Sequence, residues 1–156
     1  MKVKNLWNTS ESLLVIFNFI DDDQLRDFRK SLDKILNSSQ VNRLVIVVNV
    51  PKEIDKSTLP PHFLIYYNSP NDYTFFGKMK DIQLETELHK NYDLLINFDK
   101  PNDKILAQIK LGQIKKKVIV NAEEGFFDLS LTSALSKPDD MLNFVITTLE
   151  KINLYD

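Results

Sequence analysis

Four short apolar runs constrain this chain more than anything else in it. They are residues 13–19 (LLVIFNF), 44–50 (LVIVVNV), 92–98 (YDLLINF) and 118–121 (VIVN). Each is nearly unbroken and rich in β-branched or aromatic side chains. A strand with one wet face alternates apolar and polar residues, whereas a strand covered on both faces reads as a continuous run. The runs therefore predict parallel strands with helices on either side. A fifth run, residues 63–67 (FLIYY), follows Pro60-Pro61. Proline cannot donate to a ladder, so this strand is expected to start after the pair and to lie at the periphery. Residues 126–131 (FFDLSL) alternate and predict a half-buried edge strand.

Helical patterns fall between the runs. Leu25, Phe28, Leu32, Ile35 and Leu36 form a stripe at helical spacing. Asp21-Asp22-Asp23 stands before it, where a cap and first-turn acids belong. Leu84 and Leu88 mark a short helix near residues 81–89. Residues 100–111 hold Ile105 and Ile109, with Pro101 at the start and Gly112 as the stop. The final helix has Ser136, Pro138, Asp139 and Asp140 as its start signal. Its broad apolar face contains Met141, Val145, Leu149 and Ile152. Alternation of this kind predicts right-handed parallel crossovers. The expectation is a single α/β domain over residues 1–156, with 1–12 as an N-terminal arm. Its fold would be a three-layer sandwich, Rossmann-like, around a mainly parallel sheet of five or six strands.

In open parallel sheets, ligands sit beyond the carboxyl ends of the strands. Here those ends collect polar residues. Asn18, Asn49, Asn97 and Asn121 close or nearly close four runs, and Asp21, Asp22, Asp23 and Asp99 follow two of them. The asparagines are candidate ligand contacts. The aspartates are candidate Mg²⁺ ligands, because Mg²⁺ takes oxygen donors and needs only one or two carboxylates. A metal held there would support phosphate chemistry. The plainer alternative is that aspartates before a helix are caps and that polar strand ends face water.

Other chemistry is excluded more firmly. The chain has no cysteine, which removes thiolate metal sites, disulfides and cysteine nucleophiles and fits a cytoplasmic setting. The only glycines are Gly77, Gly112 and Gly125, so neither a dinucleotide fingerprint nor a Walker loop is present. His62 and His89 lack metal-helix spacing, and no serine has a glycine-flanked elbow. A net charge of -2 argues against nucleic acid and against an anionic membrane surface as partners. The run at 13–20 is far short of the roughly 20 residues a membrane helix needs.

One segment remains unabsorbed. Tyr73, Phe75 and Phe76 crowd into an irregular stretch, and Trp7 lies in the N-terminal segment. Such rings either pack back on the domain or anchor a partner. With no catalytic constellation elsewhere, they favour a non-catalytic binding or interaction module, self-association included. A Mg²⁺-dependent phosphate-handling enzyme and a small-molecule sensor at the carboxyl edge are the alternatives.

The elements FFGKMK (75–80), YDLLIN (92–97), KKVIV (116–120) and FFDL (126–129) together resemble an uncharacterised family of small α/β proteins from Bacteroidetes-type bacteria. The resemblance spans residues 13–153. It implies the layered α/β fold and a cytoplasmic setting. That family has no established substrate, cofactor or catalytic residue, so it implies no activity. Where its members carry a more basic N-terminal arm, this chain has Lys2 and Lys4.

Overall fold

A computed structural model describes residues 3–154. Met1 and Lys2 of the expected arm lie outside the described residues. In chain order the elements are β1 (Ser12–Asn18), α1 (Asp22–Ser38), β2 (Arg43–Asn49), β3 (Ile65–Asn68), α2 (Ile82–Leu88), β4 (Tyr92–Phe98), α3 (Asp103–Ile109), β5 (Ile114–Val120), β6 (Leu129–Leu131) and α4 (Pro138–Glu150). Single 3₁₀ turns occur at Lys56–Thr58 and Pro70–Asp72.

All six strands are parallel, in the order β3-β2-β1-β4-β5-β6. This is the doubly wound order of a Rossmann-like sheet, with its switch point between β1 and β4. Helix α1 leads from β1 leftward to β2, whereas α2 leads from β3 back across to β4. Right-handed crossovers running in opposite directions must use opposite faces of the sheet. Accordingly α1 and α4 pack together on one face, and α2 and α3 on the other.

The unbroken apolar runs are now explained. Along β1, Leu13, Val15 and Phe17 face α1 and α4, while Leu14 and Ile16 face α2 and α3. Strand β2 divides in the same way, with Leu44, Ile46 and Val48 on the first face and Val45 and Val47 on the second. Each fully buried side chain of this size contributes about 1.5–3 kcal/mol. Phe28 of α1 locks onto the first face by stacking on Phe17 at 4.0 Å and meeting Phe98 edge-on at 5.4 Å.

Several local expectations shift. Pro101 precedes the cap of α3; the cap is Asn102, whose side chain accepts from the amides of Lys104 and Ile105. Helix α4 begins with Lys137 at its cap position and no side-chain bond there, so Ser136 does not cap it. Strand β5 starts at Ile114 and takes in Lys115–Lys117, which sequence reads as the approach to a strand. Strand β3 runs one residue past Tyr67, to Asn68.

The N-terminal segment packs on the domain. Leu6 donates its amide to Ile152 O and Leu154 donates to Lys4 O, so the two ends of the described chain pair with each other. Trp7 is only 7% exposed and belongs to the core beneath α1 and α4. Gln40 Nε2 donates to Trp7 O at 2.6 Å and to Ser10 O at 2.9 Å, which fixes this turn against the loop between α1 and β2.

Among the described residues, no helix is long and apolar enough to cross a membrane.

Candidate functional site

Parallel pairing puts the last residues of β1, β2 and β3 side by side. Asn18 pairs in register with Asn49, and Asn49 with Asn68. Side chains alternate along each strand, so all three asparagines project from the face that α2 and α3 cover. They form a directed chain of hydrogen bonds. Asn49 Nδ2 donates to Asn18 Oδ1 at 3.1 Å, and Asn68 Nδ2 donates to Asn49 Oδ1 at 3.0 Å. The hydroxyl of Tyr73 closes the chain by donating to Asn68 Oδ1 at 2.7 Å. Burial holds the Tyr73 phenol above its usual range, so it remains the protonated donor. Buried amides without partners are costly, and this ladder satisfies Asn49 and Asn68 where the strands end.

The ladder is also the root of a loop. Residues 73–79 form a tight hairpin in which Tyr73 bridges Met79 in antiparallel fashion. Thr74 N donates to Lys78 O at 2.7 Å, Gly77 N to Thr74 O at 2.9 Å, and Lys80 N to Asp72 O at 2.8 Å. Gly77 has a φ of +82°, a left-handed conformation that glycine adopts without strain. Both feet are buried, Tyr73 at 9% exposure and Met79 at 3%. The ammonium of Lys104, on α3, lies over the Tyr73 ring at 4.2 Å. On the entering side, Ser69 and Asp72 form a capping box, and Lys56 pairs with Asp72 at 2.6 Å.

At the apex stand Phe75 and Phe76, 97% and 93% exposed, with their rings edge-to-face at 5.4 Å. A well-fastened hairpin thus holds two aromatic side chains in water.

The remaining sequence candidates are dispersed. Asn97 is buried, pairs in register with Ile16 rather than with Asn18, and donates to Asp99 O at 2.9 Å. Asn121 is exposed and accepts from Ser133 N at 2.7 Å, which pins the loop after β6. Asp99 and Asn121 directly follow the paired residues Phe98 and Val120, and both are left-handed, with φ of 65° and 62°. Asn and Asp tolerate this conformation better than other side chains with a Cβ. Asp21 caps α1 by accepting from Gln24 N at 2.7 Å, Asp23 pairs with Arg26 at 2.6 Å, and Asp22 is exposed in the first turn. Partial desolvation holds the Asp99 carboxyl above its usual range. Among the described residues, no group of three or more His, Cys, Asp or Glu side chains gathers where it could hold a metal ion. Of the four aspartates, Asp21 is engaged as a cap and Asp23 in an ion pair, whereas the carboxylates of Asp22 and Asp99 have neither role among the described residues. Trp7, a candidate contact residue, is in the core, and Tyr73 serves as the foot of the loop rather than its contact surface.

Both histidines have structural partners. His62 Nδ1 accepts from Leu64 N, and the ring stacks on Phe63. His89 Nε2 meets Gln108 Oε1 at 2.7 Å, which joins α2 to α3.

Sequence reasoning missed Asn68, because the run 63–67 stops one residue short of it, and Lys104, whose place over Tyr73 is tertiary. It also missed a cavity of about 580 Å³ at the opposite, amino edge, lined by Tyr92, Asp93, Lys115, Lys117 and Phe126 among others. Burial tends to raise the Asp93 carboxyl there, but the amides of Glu11 and Ser12 and the ammonium of Lys115 outweigh it and hold the group below its usual range.

Comparison with known protein families finds no family that matches the chain, and comparisons with curated proteins and with solved structures find no match either.

Proposed function

We propose that this protein is a non-catalytic interaction module of the cytoplasm whose contact element is the Phe75–Phe76 hairpin. One observation carries the reading: two nearly fully exposed phenylalanines stand on a loop whose base is fastened at both feet. Each ring left in water forgoes about 1.5–3 kcal/mol that burial would supply. A loop this well fastened has already lost its conformational freedom, so contact through its tip incurs little further ordering cost. At the carboxyl edge, by comparison, Asn18, Asn49 and Asn68 are spent on one another and Asp21 on a cap.

Detergent-free fractionation of the protein's own cells tests this. The native chain is expected in a bound fraction, either a larger assembly or a membrane pellet. The Phe75→Ala/Phe76→Ala chain is expected free, at the size of an 18.2 kDa protein. Identical fractionation of the two chains would overturn the reading.

A further inference from the structure

We infer that the hairpin tip docks on an anionic lipid surface, entering its interfacial layer through Phe75 and Phe76; this rests on the interaction reading above. Three observations favour a bilayer over other occupants. First, the tip is convex. Two rings at an apex fit a soft layer that closes around them, whereas a protein receptor must supply a matching cleft. Second, the charge on the hairpin itself has one sign. Residues 73–80 contain Lys78 and Lys80 and no acid, and Lys104 adds a third ammonium, 4.0 Å from where a Cβ on Gly77 would stand. None of these three lysines forms an ion pair among the described residues. The acids that flank the hairpin in sequence are engaged, Asp72 with Lys56 and Asp81 as the cap of α2, while Asp103 stands beside Lys104 in the first turn of α3. Apolar rings in front with lysines on the shoulders is the arrangement that places ammonium groups at the level of lipid phosphates. Third, a second copy of this chain is a poor receptor. The 580 Å³ cavity at the amino edge has Asp93, Lys115 and Lys117 in its lining, and with Lys115 paired to Asp93 and Lys117 to Asp128 it offers, among the described residues, no unpaired carboxylate to the lysines of the tip.

The contact must be a corner contact. Asp21, Asp22 and Asp23 follow β1, Glu53 and Asp55 follow β2, and Glu123 and Glu124 follow β5, all on the same carboxyl edge. An anionic surface repels them, so the domain would tilt to present the hairpin alone.

The test uses the full chain with vesicles of phosphatidylcholine alone and of an equal mixture of phosphatidylcholine and phosphatidylglycerol. Co-sedimentation is expected with the mixture and not with the neutral vesicles, and it should weaken as salt is raised. Each lysine near an anionic surface contributes about fivefold in affinity, so Lys78→Glu/Lys80→Glu should lower binding by at least about 25-fold. Phe75→Ala/Phe76→Ala should reduce it to background. A Phe76→Trp chain gives a readout independent of the pellet: its emission should shift to the blue and be quenched by brominated lipid only in the mixed vesicles.

Failure of the folded native chain to bind the mixture would overturn the inference, and so would equal binding to neutral vesicles or binding unchanged by the alanine pair. If the native chain ignores vesicles yet fractionates with a protein assembly through the same phenylalanines, the lipid inference falls and the interaction reading stands. If the alanine pair changes neither assay, both fall.

Discussion

The Tyr73 hydroxyl donates to Asn68 Oδ1 across 2.7 Å, and this bond ties the aromatic hairpin to the amide ladder at the ends of β1, β2 and β3. Removing the hydroxyl in Tyr73→Phe leaves a buried acceptor on Asn68 unpaired, at a cost of about 1–3 kcal/mol. Asn49→Ala strips partners from both neighbours and should cost at least as much. Urea unfolding of Tyr73→Phe, Asn68→Ala and the double variant should show a coupling of roughly 0.5–3 kcal/mol, because the two residues share one bond. Additive losses would mean the ladder does not join loop to sheet.

Phe75→Ala/Phe76→Ala should leave stability within about 0.5 kcal/mol of the parent, since exposed rings contribute little to the folded state. Trp7→Ala should cost about 3–5 kcal/mol, the usual range for emptying an aromatic core site. Thermal unfolding of the two variants checks the contrast. Native Trp7 emission should also resist quenching by iodide.

Two aspartates should respond to pH with opposite signs. The Asp93 carboxyl is held below its usual range, so its stabilising contribution is complete above the unfolded carboxylate pKa and is lost as pH falls through the folded one. Asp93→Asn should therefore destabilise the protein at neutral pH and flatten the acid limb of its stability curve. Asp99 is held above its usual range by desolvation, so its ionised form is disfavoured in the folded state and ionisation costs stability as pH rises. Asp99→Asn should raise stability at neutral pH, since the amide suits the φ of 65° and carries no charge. Asp99→Ala should lower it by about 1–2 kcal/mol, because a left-handed backbone disfavours alanine. Denaturant unfolding across pH 3–8 reads all three variants.

Mg²⁺, with or without nucleotide, should not raise the melting temperature. A ligand that binds only the folded chain must stabilise it, and among the described residues no three His, Cys, Asp or Glu side chains gather to hold a cation. A rise that grows with Mg²⁺ concentration and disappears in Asp22→Asn would contradict this.

The sequence revealed the fold more readily than the site, for a physical reason. Runs such as LLVIFN and LVIVVN carry their burial on both faces in their composition, so the parallel sheet and its covering helices follow from them. The ladder depends on register, which composition does not carry. Asn18, Asn49 and Asn97 look equivalent at the ends of three apolar runs, yet pairing aligns Asn97 with Ile16 and makes Asn68 the third member of the ladder with Asn18 and Asn49. The hairpin was visible as a crowd of aromatic residues, but whether each ring is buried was not. Tyr73 and Phe75 lie two residues apart, one in the core and the other in water. Net charge is silent in a related way. A net charge of -2 is a sum over the chain and does not show that residues 73–80 carry Lys78 and Lys80 with no acid among them.

The central claim is that contact runs through the apex of the hairpin. A photoreactive benzoylphenylalanine placed at Phe76, and in a control at exposed Asn143 on α4, tests it most directly in living cells. The account predicts a discrete adduct from position 76 and none from position 143. Equal labelling from both positions, or none from position 76, would contradict it.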